Sequence, residues 1–147
     1  MKDTKKILRH AVFAALDGQI TYNSAAVPVV DEKVRSSEPS SLFIVLSTQQ
    51  ESPVERNSSS FITQSSIDIE IVQKSGAEVS KDAIDDVYED ILEIIFPAIG
   101  TLGLTVPSGF QFQEGFRESC ATSFAVIDAA ESIVAAKMRL TFIINQQ

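Results

Sequence analysis

Five carboxylates crowd one stretch of the chain, Asp82, Asp85, Asp86, Glu89 and Asp90, and such a group could in principle hold a hard cation or move protons. Their spacing argues against it. Ile84, Val87, Tyr88, Ile91, Leu92, Ile94 and Ile95 recur among them at intervals of three and four, so most of the acids fall on the solvated side of an amphipathic helix. A cation site needs ligands that converge from a loop. The other reactive residues are isolated. His10 is the single histidine, expected at the surface with no nucleophile motif to serve, and Cys120 is the single cysteine, expected as inert packing. A Ser-His-Asp triad would rest on His10 alone, and an all-nitrogen-and-sulfur zinc site cannot be assembled within one chain. Gly100, Gly103 and Gly109 follow a helix where a phosphate loop would follow a strand, and no lysine completes them. The residues therefore nominate no catalytic, metal-binding or cofactor-binding group, and the chain is not expected to be an enzyme.

The elements that carry these residues can be read from periodicity. At 147 residues the chain suits one domain spanning 1–147. Residues 61–73 form a strand whose second half alternates, with Ile67, Ile69 and Ile71 facing a core and Asp68 and Glu70 facing water. After a turn over 74–77, Ser80 is a candidate N-cap for the acidic helix, and Phe96-Pro97 ends it. Its apolar stripe is expected to pack on the three isoleucines.

Before this unit, Asp3 can cap a helix carrying Ile7, Leu8, Ala11, Val12, Ala15 and Leu16, with Gly18 as its C′ residue. Residues 19–23 and 26–34 read as a hairpin turning at Asn23-Ser24, with Pro28 demoting the second arm to an edge or bulged strand. A loop over 35–40 leads to residues 42–47, apolar on both sides and so expected in the middle of the sheet. Residues 49–60 are polar and read as a long loop of about twelve residues, well beyond the usual hairpin connection, and loops of that length tend to be functional or mobile. After the second helix comes a glycine-punctuated linker over 98–109. Phe110, Phe112, Glu114 and Phe116 then alternate with Gln111, Gln113 and Arg117 as a strand with an aromatic face. Residues 121–132 are weakly patterned, as a loop, a helical turn or part of a strand, and 133–145 alternate as a long final strand. The fold class expected is α+β: a single antiparallel sheet of about five or six strands with two helices packed on one face.

Net charge and hydropathy narrow the partners. A charge of −8 disfavours attraction to a nucleic-acid backbone, since the only basic cluster is Lys2, Lys5, Lys6 and Arg9. The N-terminal residues lack the apolar run of a signal peptide, and no stretch approaches the roughly 20 apolar residues of a membrane helix, so a soluble, cytosolic product is expected.

The strings Ile20-Thr21-Tyr22-Asn23-Ser24-Ala25-Ala26-Val27-Pro28-Val29-Val30, Leu42-Phe43-Ile44-Val45-Leu46, and Phe61-Ile62-Thr63-Gln64 running into Ile67-Asp68-Ile69-Glu70-Ile71 resemble the tail completion, or tail terminator, proteins of long-tailed bacteriophages and prophages. The resemblance extends over nearly the whole chain and implies a virion structural protein. In that family, subunits form a ring, typically a hexamer, on the head-proximal end of the tail tube and provide the junction with the head. It implies as partners other copies of the chain, the tail tube protein and a head-neck connector, with DNA passing through without specific binding, no membrane and no cofactor. It places the protein in the host cytoplasm during assembly and afterwards in the tail-neck region of the virion. Within this frame, Glu51, Glu55 and Arg56 on the long polar segment are the candidate ring or lumen contacts, chosen for charge and segment length. The alternatives are a head completion or other neck component, and, from a different class, a small-molecule binding module walled by Phe110 to Phe116.

Overall fold

The computed structural model describes residues 3–31, 41–56, 61–75, 81–128 and 131–147. It is an α+β fold in the order α1 (Thr4–Leu16), β1 (Thr21–Tyr22), β2 (Ala25–Ala26), β3 (Val29–Asp31), β4 (Leu42–Arg56), β5 (Phe61–Ser75), α2 (Lys81–Ile95), β6 (Phe110–Asp128) and β7 (Glu131–Gln146). β1 and β2 form a small ribbon, and the remaining strands form one five-stranded sheet in the order β3-β4-β5-β7-β6. The sheet is mixed, not purely antiparallel as expected, because β3 runs parallel to β4 while the other neighbours are antiparallel.

Pro28 is where the expected hairpin divides. Asn23 and Ser24 both take positive φ, as the central residues of a type I′ turn must, and Val27 N–H still bonds to the Ile20 carbonyl. Proline cannot donate the next ladder bond, and there the chain leaves the ribbon. The Pro28 carbonyl accepts from Ile44 N–H, and Val29–Asp31 continue beside Ile44–Leu46. Residues 32–34 of the expected arm, the loop over 35–40, the cap at Ser80 and residues 76–77 of the expected turn lie outside the described residues.

The helices form for the local reasons legible in their sequences. Asp3 caps α1, its carboxylate accepting from Lys5 N–H at 2.9 Å, and Gly18 takes φ +72° just beyond the last turn. The stripes of both helices converge on one face of the sheet. Leu8, Val12 and Leu16 from α1, and Ile84, Val87, Ile91 and Ile95 from α2, join Ile44, Leu46, Ile67, Ile69, Ile71, Met138, Leu140 and Phe142 in one core. At α2's end, Gly103 N–H bonds to the Ile95 carbonyl, and a Cβ at Gly103 would overlap the Ile94 carbonyl. Only glycine lets the linker approach so closely.

One segment expected as a loop is strand, and another left between loop, helical turn and strand is strand as well. Residues 49–56 continue β4, paired with β5 as far as Arg56 opposite Phe61. Residues 121–128 continue β6 against β7. Both are polar or weakly patterned, and their extension comes from a long partner strand rather than from their own preference. The result is unusually tall: strands of 15 to 19 residues, which at about 3.3 Å per residue stand roughly 50 Å or more.

Candidate assembly surface

β5 and β7 bring together a charged cluster, apart from the pair of Arg9 and Asp31 at 2.9 Å. Asp68 lies opposite Arg139, and Glu70 opposite Lys137. Arg139 grips the Asp68 carboxylate with both ends of its guanidinium, Nε to Oδ1 at 2.8 Å and Nη2 to Oδ2 at 3.2 Å, while Lys137 Nζ stands 3.5 Å from Oδ2. Asp68 is only 1% exposed and Glu70 8%, so the face expected to be wet is largely closed at this point. Asp68 and Glu70 alternate with the isoleucines as expected, but the face they occupy is buried at the carboxylates and not wet. A buried carboxylate requires a paired, hydrogen-bonded cation, and β7 supplies it. The signal lay in Lys137 and Arg139 alternating with apolar residues as Asp68 and Glu70 do, although pairing the two runs needs the fold.

Above and below this cluster the same face changes character. Phe43, Val72 and Ala135 form a small second core with Val30, Val45 and Ile133 against it, and Lys74 Nζ stands 5.2 Å from the Phe43 ring centroid. In the other direction, Ser66 and Thr141 face each other in register. Both are buried, and their hydroxyls have no hydrogen-bond partner among the described residues.

The sequence-nominated residues stand elsewhere. Glu51, Glu55 and Arg56 lie not on a loop but in β4, their backbone opposite Ser65, Ile62 and Phe61. His10 is exposed on α1, and Asp82, Asp85, Asp86 and Glu89 are exposed on α2 with Asp90 half-buried. Among the described residues no group of three or more His, Cys, Asp or Glu is placed to hold a metal ion. Of the expected aromatic face of β6, Phe110 and Phe112 pack on the main core, and the backbone register shifts by one between Phe112 and Glu114; the Phe116 side chain lies outside the described ones.

The sheet's margins carry long stretches of backbone that no second described strand pairs. β3 covers β4 only at residues 44–46, so from Gln49 to Arg56 β4 has no second strand beside it among the described residues. β6 likewise ends the strand order on the other side. Such rows of main-chain donors and acceptors are templates for pairing with another chain unless they are blunted. No helix among the described residues is long and apolar enough to cross a membrane.

No family model and no curated protein matches the chain.

Proposed function

We propose that this chain is a structural protein of a phage virion, one subunit of a ring that caps the head-proximal end of the tail tube and joins it to the head. The observation that supports the reading best is the tall sheet with, among the described residues, a long margin on each side that no further strand pairs, which suits a subunit built to stand beside its own copies. The strings that resemble tail terminator proteins fall on the ribbon, β3, β4 and β5, including the Gln64 to Ile71 stretch at the centre of the sheet. The partners under this reading are other copies of the chain, hexameric by the resemblance, the tail tube protein and a head-neck connector. Glu51, Glu55 and Arg56 lie on the β4 margin, where ring or lumen contacts would form. The net charge of −8 suits a channel that DNA traverses without adhering, since carboxylates repel its phosphates. The protein would be found in the host cytoplasm during assembly and then in the tail-neck region.

Electron microscopy of tails assembled with and without the protein tests this. Overlong tubes, or tails lacking heads, are expected in its absence, and normal tails would remove the terminator role. Tails of normal length that fail to join heads would instead assign the chain to head completion.

A further inference from the structure

The two margins of the sheet are distorted at matching heights. On β4, Thr48 pairs with Ile67 and Gln50 with Ser66, leaving Gln49 as an extra residue, and Pro53 pairs with Thr63 and Glu55 with Ile62, leaving Val54. On β6, Phe112 pairs with Ile144 and Glu114 with Ile143, leaving Gln113, and Arg117 pairs with Leu140 and Ser119 with Arg139, leaving Glu118. Between the margins, β5 and β7 run in unbroken register, with Ile67 opposite Leu140 and Thr63 opposite Ile144, so height can be carried across the sheet. Gln49 and Glu118 fall on either side of the Ile67 level, and Val54 and Gln113 on either side of the Thr63 level. Five positions separate Gln49 from Val54, and five separate Gln113 from Glu118.

Bulges commonly protect an edge, because a bulged strand does not continue smoothly into a regular one. A strand bulged at the same heights is a different partner. Over residues 49–56 of β4 and 111–118 of β6 each margin has gained two residues over the same rise; the third shift of β6, between Val126 and Asp128, lies outside this span. These two stretches can therefore pair with each other without further distortion. Their directions also agree. β4, β5, β7 and β6 alternate antiparallel, so β4 and β6 point in opposite directions. Copies rotated about an axis along the strands keep those directions, and β6 of one copy then lies antiparallel beside β4 of the next.

We propose that copies of this chain join margin to margin, residues 49–56 of β4 in one copy pairing antiparallel with residues 111–118 of β6 in the next, with Gln49 opposite Glu118 and Val54 opposite Gln113. The one-level offset between the two sets of bulges is of the kind that strand tilt introduces in a closed arrangement. β3 occupies β4 at residues 44–46 and so limits the contact to the part of β4 beyond it. The contact is heterologous, using two different surfaces of each copy, and it propagates around a ring. This inference rests on the self-assembly part of the proposed function, not on the phage role.

Disulfide trapping in the full chain tests the register. In a Cys120→Ser background, Gln50→Cys is combined with Arg117→Cys, and separately Arg56→Cys with Gln111→Cys. Both pairs face each other across the proposed contact. After mild oxidation of the concentrated protein, and of tail tubes assembled in its presence, covalent trimers and larger multimers are expected from either pair. Monomer is expected from each single variant, and loss of the ladder from the out-of-register combination of Gln50→Cys with Thr122→Cys. Dimers that form from a single cysteine and never grow would show a two-fold contact and overturn the inference. Rings seen by microscopy with no ladder from either pair would also overturn it, while leaving the ring itself standing. No assembly under either condition would overturn the ring reading and the inference together.

Discussion

The two faces of β5 and β7 solve the same burial problem in opposite ways. Towards the helices, Ile67, Ile69 and Ile71 meet Leu140, Met138 and Ala136, a dry contact that needs only shape. On the reverse, the carboxylates of Asp68 and Glu70 are buried opposite Arg139 and Lys137, whose side chains stay 38% and 53% exposed, so burial there depends on charge pairing. The first face tolerates exchange among apolar residues of similar volume. The second tolerates little loss of a cation, because that leaves the Asp68 carboxylate buried and charged.

The sharpest way to break the contrast is on the dry side. Ile69→Ala is expected to cost about 4 kcal/mol, measured by urea unfolding, since the residue is fully buried in the core that both helices share with the sheet, between Leu46 and Met138 on its neighbouring strands. On the reverse face, Arg139→Met should cost about 3 kcal/mol by the same measurement, because the buried Asp68 carboxylate loses its two-pronged partner and keeps the more distant, half-exposed Lys137. The double variant Asp68→Leu with Arg139→Met should recover most of that loss, an outcome with no counterpart on the helix side. A smaller effect is expected where α1 meets β5. Thr4 Oγ1 lies 2.7 Å from Ser65 Oγ and 3.1 Å from Thr63 Oγ1, and Thr4→Val should lower thermal stability by about 1–2 kcal/mol through the two hydroxyls left behind. Smallest, and of opposite sign, Thr141→Val is expected to be neutral or to stabilise by up to about 1 kcal/mol in a calorimetric scan, since its hydroxyl has no partner to lose among the described residues.

What could be read in advance divides along the same line. The apolar stripes of both helices, the Asp3 cap, Gly18 and the isoleucine face of β5 were legible because each is stated by neighbouring residues at a fixed period. Residues 49–56 were not. Gln49, Gln50, Glu51, Ser52, Pro53, Glu55 and Arg56 carry no strand-like alternation, and what extends them is a ladder to β5. The parallel placement of β3 was hidden for a similar reason: Pro28 announces a break in the ribbon but not which strand the chain joins next. The bulges at Gln49, Val54, Gln113 and Glu118, on which the assembly surface turns, have no sequence signal, because a bulge is a relation between two strands.

The long seam between β5 and β7 has a consequence for how the chain reaches this state. β4 with β5, and β6 with β7, are each hairpins of near neighbours, whereas the seam joins residues as distant as Phe61 and Gln146. Closing so large a loop is entropically unfavourable until the ladder has zipped, so the hairpins form early and their docking sets the pace. A chain built this way refolds slowly, and while the hairpins remain apart the edges of β5 and β7 are also open to other molecules.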